Sequence, residues 1–544
     1  MTTVIDPKVR VIDYGPTLTI EDEKDGEITI TPDEEVWGAG QVTYKGVQAV
    51  RATEIKVAEA NSQTEEAIAR KMRESIISSV GAGHASMATT PGMWIEITDS
   101  SKLVDSIFTP MRFASSLMPS GRRVPISLDA IAIPKGIQAT GDEATSVYLQ
   151  TSEANIKAYE KLQERGVEKQ DASKIVQYGH QGGGFMFLPL ETLVSLKKRA
   201  DMNGADMPRE GREIISQLVD YVHANGMGTV FESRYHAPRT SCPNPDIFHS
   251  RKTEAQELIE SNYRECVNSP AIVGTLLPRQ VSAEHERRLK EYFKLRDRIL
   301  IDPNAIKSGE WRRNLELANL LNEDFTAPII STITNSSWRV WGEVKRHRTL
   351  SQIAESIYSA AQRGLTVARE AKYFEASVDF DKNFRQIFEN SFYTPESVKA
   401  NPENLGLWFE RFQDSMLAYQ RLTEMGVPKS DAIAVVPRGL RLGVIKQFDA
   451  YNRSTGYMSL RLCKTSEPEM QQTTEQERDL FMALPETVLS PAEKALMIPK
   501  CGYVGFCPDG KYCSSFAAPR QSPEFYTELA QKRKAFILNA INDE

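Results

Sequence analysis

Between Thr64 and Val80 the apolar residues Ala67, Ile68, Met72, Ile76 and Val80 recur at helical spacing, which predicts an amphipathic helix. It runs into Gly81-Ala82-Gly83-His84-Ala85-Ser86. Beyond it, Met93-Trp94-Ile95-Glu96-Ile97-Thr98 reads as a strand, and Asp99-Ser100-Ser101 as a cap with a helix following. Residues 1 to about 60 read as short strands and turns, with Glu21 to Glu27 a solvated charge run. Much later, Thr349 with Gln352 three positions on forms a capping-box pair, and Gly364 after Gln362-Arg363 reads as a C-terminal stop. A helix is therefore expected to begin just beyond Arg348.

The strand and cap recur. Ile97-Thr98-Asp99-Ser100-Ser101 matches Ile333-Thr334-Asn335-Ser336-Ser337, 236 positions later, and the same offset carries Arg112 onto Arg348, Ser115 onto Ser351 and Ser120 onto Ser356. A second match carries Ala158-Tyr159-Glu160-Lys161-Leu162 onto Ala418-Tyr419-Gln420-Arg421-Leu422 at an offset of 260, so about 24 extra residues fall in between, around Tyr373 to Ser397. Helix-and-cap patterns resemble one another by chance, but two matches in the same order favour an internal duplication. The expected organisation is one copy over 1–240, a second over 241–490 and a C-terminal tail over 491–544, with Pro238 to Pro245 having the composition of a linker. The expected fold class is α/β (α+β), two similar copies, each a sheet packed with helices plus a helical portion around Tyr159 or Tyr419.

At 544 residues the chain exceeds one ordinary core, which agrees with two domains. Forty per cent hydrophobic and 26% charged residues are those of a globular protein, and a net charge of −7 argues against a general binder of nucleic acid or membrane surfaces. Met1 to Pro16 lacks an apolar signal core and no run would span a bilayer, so a cytoplasmic location is expected. Six cysteines do not make a disulfide framework: Cys242, Cys266 and Cys463 stand alone. Cys501, Cys507 and Cys513 are separated by five-residue gaps, unlike a zinc knuckle, and no fourth ligand is near in sequence, so a glycine-rich turn with reduced thiols is expected there and a metal or cluster is the alternative.

Candidate chemistry concentrates in Lys345-Arg346-His347-Arg348, with Ser356 following the last arginine after seven intervening residues. At a helix start this basic run would be an anion site, because backbone N–H groups and the helix dipole add to the side-chain charge. The plainer alternative is a solubilising surface run. Arg346-His347-Arg348, seven residues, Ser356 resembles the signature of the flavin-dependent (ThyX-type) thymidylate synthases. That resemblance implies reductive methylation of dUMP to dTMP, with FAD as cofactor and NADPH and methylenetetrahydrofolate as co-substrates. It also implies a tetramer with sites shared between subunits, which two copies per chain would reproduce as a homodimer, a pseudo-tetramer.

Carried residue by residue, the resemblance implies cofactor contacts at His84, Ser86, Arg346, His347, Arg348 and Asn452. Nucleotide contacts are implied at Arg112, Ser120, Gly121, Arg122, Glu343, Ser356 and Arg461, with Arg461 also the catalytic group that helps ionise the pyrimidine N3. Trp338 and Trp341 are expected to pack. Ser120 and Ser356 are not read as nucleophiles, since no histidine and carboxylate accompany them. The departures are as informative. Pro110 and Met111 replace the first arginine and the histidine in the first copy, Tyr358 replaces an arginine in the second, and Ser173 and Ile433 replace another, for which Arg438 is close enough to substitute. Each copy thus keeps parts that the other lacks. The expectation is a composite site joining Ser120-Gly121-Arg122 to Arg346, His347, Arg348 and Arg461, and the alternative is a catalytically divergent flavin- or nucleotide-binding homologue.

Overall fold

The computed structural model describes the chain except residues 1–2, 23–25, 62–63, 83–84, 121–123, 125, 239–242, 264, 267–268, 278–281, 323–325, 372–381 and 543–544. In the first copy, strand β1 (Lys8–Gly15) pairs antiparallel with β2 (Gly92–Thr98), which pairs antiparallel with β4 (Gly184–Pro189); β3 (Ser115–Leu117) closes the order β1-β2-β4-β3. β2 is a strand because its apolar residues alternate: Met93, Ile95 and Ile97 are buried while Trp94 is exposed. The expected helix is present as α1 (Glu65–Val80), which buries Met72, Ile76 and Val80. Residues 1 to 60 are not all strands and turns, since helices Pro32–Gly40 and Gln48–Ala58 follow the early strands. The overlooked signal was Thr31-Pro32-Asp33-Glu34, a capping box with proline in the first turn. Further along this copy lie the helices α2 (Leu103–Phe108) and α3 (Asp142–Glu164).

The second copy repeats the arrangement. Its strands β5 (Ala271–Val273), β6 (Ile330–Ser337), β7 (Ser351–Ala354) and β8 (Arg441–Phe448) lie in the order β5-β6-β8-β7, strand for strand the order of the first sheet. The helix expected just beyond Arg348 is absent. That position carries a turn and then β7, and the next helix, α5, begins only at Ile357 and runs to Ala371. Thr349 and Gln352 therefore do not cap a helix: pairing in the sheet overrides the local signal, and β7 alternates in burial with Gln352 and Ala354 inward. Gly364 lies inside α5 and not at its end, where a Cβ would stand 3.0 Å from both Leu440 and Phe392.

By compactness the chain divides differently from the repeat. One unit holds residues 1–253, 337–348 and 354–442, and the other holds 254–336, 349–353 and 443–544. Within the first unit, α3 and its counterpart α6 (Pro402–Glu424) are each 23 residues long and pack together. Asn155 donates to Ser415 at 2.9 Å, two residues 260 apart, so each meets its own equivalent. Gln177 and Pro437, also equivalents, form an antiparallel bridge. Gly179 N–H donates to the Ala434 carbonyl at 3.0 Å and Gly439 N–H to the Lys174 carbonyl at 2.7 Å, a reciprocal pair. Residues contacting their own counterparts mark a local two-fold axis. Gly179 is glycine for close approach, because a Cβ there would stand 1.9 Å from the Tyr148 hydroxyl and 2.8 Å from the Ala434 carbonyl.

The core of the second unit includes Leu289, Tyr292, Leu317 and Leu321 together with Tyr503, Phe506, Phe525 and Leu529 of the tail. Among the described residues no helix is long and apolar enough to cross a membrane.

Candidate functional site

The basic run is positioned by helix α4 (Trp338–Val344), which starts where Ser337 accepts from Val340 N–H at 3.2 Å. Trp338 and Trp341 are fully buried, and Trp338 N–H and Arg339 N–H donate to the carbonyls of Leu440 and Arg438 at 2.7 and 2.8 Å. With α4 anchored, its C-terminal end delivers Lys345, Arg346, His347 and Arg348 on a turn. The run therefore sits at the negative end of a helix dipole and not the positive end, so the dipole does not favour an anion there and only side chains could.

Two of those side chains, Lys345 and Arg346, converge with others of the first unit on Asp105 in α2. Lys102 Nζ lies 2.7 Å from Asp105 Oδ2 and donates to the Pro119 carbonyl at 2.7 Å. Lys345 Nζ donates to the Asp105 backbone carbonyl at 2.6 Å, and Arg346 Nη2 lies 4.0 Å from Asp105 Oδ2 with its side chain 45% exposed. Arg438 is buried to 1% exposure; its Nε donates to the Val176 carbonyl at 3.1 Å, its guanidinium lies 5.7 Å from the Tyr178 ring centre, and its Nη2 has no partner.

Burial pushes the Lys345 ammonium well below the usual lysine range against the pull of Asp105, and the Arg346 and Lys102 charges push the same way. Burial also lowers Lys102, and it holds the Arg438 guanidinium down at about 10. His180, beside Arg438 and Lys102, is held well below its ordinary value by burial and then by those charges. Glu343 does not balance the cluster, because its carboxylate is engaged by Arg339 at 3.2 Å. Four cationic side chains around one carboxylate leave positive charge in surplus at a point that opens to solvent through Arg346. Such a surplus lowers the cost of holding an anion there.

The remaining candidates divide. Arg348 is half-buried, its Nε without a partner, and burial lowers its pKa. Ser356 is buried and its hydroxyl donates to the His249 carbonyl, while the Tyr358 hydroxyl donates to the Asp206 carbonyl and Ile357 N–H to the Ile247 carbonyl at 2.9 Å. The stretch just past the expected linker is thus packed inward, with Ile247 and Phe248 fully buried. Asp246 accepts from Asn203 at 2.7 Å and pairs with Arg199. Ser120 is half-buried one residue beyond Pro119, Arg112 N–H donates to Asn244 at 2.9 Å, and Ser86 is exposed on the helix Ala85–Thr89. His84, Gly121 and Arg122 lie outside the described residues.

In the second unit Asn452 is fully buried. It donates to the Thr349 carbonyl at 3.2 Å and to Asp449 at 2.9 Å, and it accepts from the Thr349 hydroxyl at 3.2 Å, so it fixes the residue that follows Arg348. Arg461 is half-buried at the end of the helix Tyr457–Arg461. Sequence reasoning missed Lys102 and Asp105 and ranked Arg438 only as a substitute. The signal available was the i, i+3 pairing of Lys102 with Asp105 just past the first cap, which by itself reads as an ordinary helix-surface ion pair.

Comparison with known proteins places this chain in a family. The sequence model of the family described as thymidylate synthase complementing protein (Thy1) matches two segments, residues 27–181 and 327–485, together more than half the chain. A flavin-dependent thymidylate synthase of Thermococcus onnurineus is 24% identical over 174 residues, 31% of this chain and 68% of that protein. A flavin-dependent thymidylate synthase of Thermococcus kodakarensis is 24% identical over 169 residues, 31% of this chain and 68% of that protein. Among solved structures, a UMP/dUMP methylase PolB from Streptomyces cacaoi bound with 5-Br dUMP aligns with a TM-score of 0.32 and 12% identity, covering 44% of this chain and all of that one. With its two matched segments, the chain belongs to the thymidylate synthase complementing protein family, the enzyme family of the flavin-dependent thymidylate synthases, in a tandem two-copy form.

Proposed function

We propose that the chain methylates a deoxyuridine nucleotide, dUMP to dTMP, using FAD, NADPH and methylenetetrahydrofolate. The observation that carries this is the cation surplus around Asp105, where Lys102 of the first copy meets Lys345 and Arg346 of the second. A nucleotide phosphate and a reduced flavin are both anions, and orphaned donors at Arg438 and Arg348 fit such a guest. Flavin, when bound, supplies the hydride. The chain's own part is to hold and orient: Arg346, His347 and Arg348 toward the cofactor, and Ser120, Gly121 and Arg122 toward the nucleotide. Arg461, Asn452, Glu343, Arg112, His84 and Ser86 enter as candidate contacts by family resemblance.

The copies are proposed as 1–240 and 241–490 with a tail over 491–544, and the assembly as a homodimer. The local two-fold, on which one copy meets the other as a subunit would meet its mate, supports that reading. Purified protein is expected to be yellow and its flavin band to bleach on adding NADPH without oxygen. A colourless protein that fails to rescue a thymidine auxotroph would refute the proposal. A second reading, a flavin- or nucleotide-binding homologue without turnover, is favoured by one observation: the hydroxyls of Ser356 and Tyr358 are both taken up by backbone carbonyls of the chain itself. Flavin retention without dTMP formation would support it.

A further inference from the structure

Three of the cysteines set aside for want of a fourth ligand acquire one in the fold. Cys463, 38 residues before Cys501 in sequence, lies within electrostatic reach of the Cys501 thiol, as do Cys507 and Cys513. Hydrogen bonds between their neighbours fix the convergence. Lys464 donates to Ser514 at 3.0 Å and Thr465 to Asp509 at 3.4 Å, so the segment carrying Cys463 is fastened to the loop between Cys507 and Cys513 and to the residues just after it. Lys500 donates to both oxygens of Asp509 at 2.9 and 2.8 Å, bringing in Cys501. Gly505 (φ 79°) ends the helix Lys500–Val504, and Gly510 (φ 63°) turns the chain back, its N–H donating to the Cys507 carbonyl at 3.1 Å. Glycine adopts these left-handed angles at no steric cost, which suits both bends between the cysteines.

We propose that Cys463, Cys501, Cys507 and Cys513 are the four thiolate ligands of an iron–sulfur cluster of the [4Fe–4S] type. Four cysteines with no other ligand type suit either zinc or such a cluster. The choice between them rests on spacing. A single zinc gathers its sulfurs about 2.3 Å from one point and is commonly gripped by pairs two to four residues apart. Here both local gaps are five residues, wider than such pairs. A cluster is a larger guest, anchored by one sulfur at each of four corners, and so accepts ligands spaced more widely than a single ion does. Lys464 and Lys500 beside the cysteines, and hydrogen bonding of Cys513 Sγ with the Ser515 hydroxyl at 3.2 Å, suit thiolates carrying net negative charge.

The test is iron, acid-labile sulfide and zinc analysis of the full-length protein purified without oxygen, with electron paramagnetic resonance after dithionite reduction. About four irons and four sulfides per chain are expected. Cys501→Ser and Cys507→Ser should each lose more than half of both, while Cys266→Ser, altering a thiol packed among Ile259, Ile333 and Ile445, should keep them. Sulfide is absent from flavin, so the readout is independent of the methylation chemistry. One zinc without sulfide, no metal, or iron and sulfide undiminished in the serine variants would each overturn the assignment. Should the variants fail to fold by circular dichroism, the content of the unaltered protein decides alone.

Discussion

The two sides of the local two-fold axis have the same backbone and opposite chemistry. On one side stand Lys102, Asp105, Lys345 and Arg346; their equivalents 236 positions away are Trp338, Trp341, Thr109 and Pro110. The charged side holds an ion cluster that reaches solvent. The other side is dry: Trp338 and Trp341 are fully buried, and the Trp338 ring lies 4.2 Å from that of Tyr178, itself the counterpart of Arg438. The framework hydrogen bonds survive on both, with Lys102 N–H donating to the His180 carbonyl as Trp338 N–H does to Leu440. What separates an anion site from a packing contact here is side chains alone, and one chain carries one charged side.

The comparison can be broken most severely at Asp105. Asp105→Asn removes the carboxylate from the buried cations, and such uncompensated burial typically costs about 3–5 kcal/mol. Urea unfolding should register that loss, and added phosphate should recover part of it; an unchanged midpoint would show that the cations do not depend on Asp105.

Next in size is Glu210, which accepts from the Ser101 N–H at 2.7 Å and from its hydroxyl, whereas the equivalent Ser337 caps α4 instead. Burial raises the Glu210 carboxyl to about 7 against the pull of the Ser101 hydrogen bonds. The folded state therefore holds a proton that the unfolded state has released between about pH 4.5 and 7, so stability falls as pH rises through that window and the cost is complete above it. Glu210→Gln should flatten this dependence and gain up to ~3 kcal/mol at pH 8, measured by unfolding at several pH values.

Arg346→Ala should weaken binding of a nucleotide or flavin by roughly ten-fold or more, about 1.5–3 kcal/mol for one charge-assisted contact, as read by fluorescence titration. Pro110→Ala, at the equivalent place, should change nothing in that titration. The smallest effect belongs to the axis. Asn155→Ala and Ser415→Ala should each cost about 1 kcal/mol, and together less than their sum, because they share one hydrogen bond.

Much of the fold was legible where burial follows sequence period. Met93, Ile95 and Ile97 alternate and form the central strand, and Ile76 and Val80 repeat at helical spacing and are buried. The duplication was legible because offsets survive where identities do not. The candidate site was half-legible. Arg346-His347-Arg348 announced itself, but its setting did not, since whether Ser351–Ala354 is strand or helix depends on a sheet partner, Arg441–Phe448, about 90 residues away. Lys102 and Asp105 could not be joined to Lys345 from sequence, because only the axis brings α2 and α4 together. Cys463 was hidden because only the folded chain brings it to the loop around Cys507 and Cys513.

The self-contacts along α3 and α6 carry a consequence for inheritance. In an assembly of identical subunits, one altered codon changes every equivalent position at once, and a residue needed in any of them is held in all. A tether turns the meeting of the copies into an intramolecular event, with an effective concentration on the order of millimolar for short flexible linkers. Each codon is then read once per pair, so Lys102 can stay a lysine while its counterpart becomes Trp338. Joining the copies in one chain is what permits a symmetric enzyme to become lopsided.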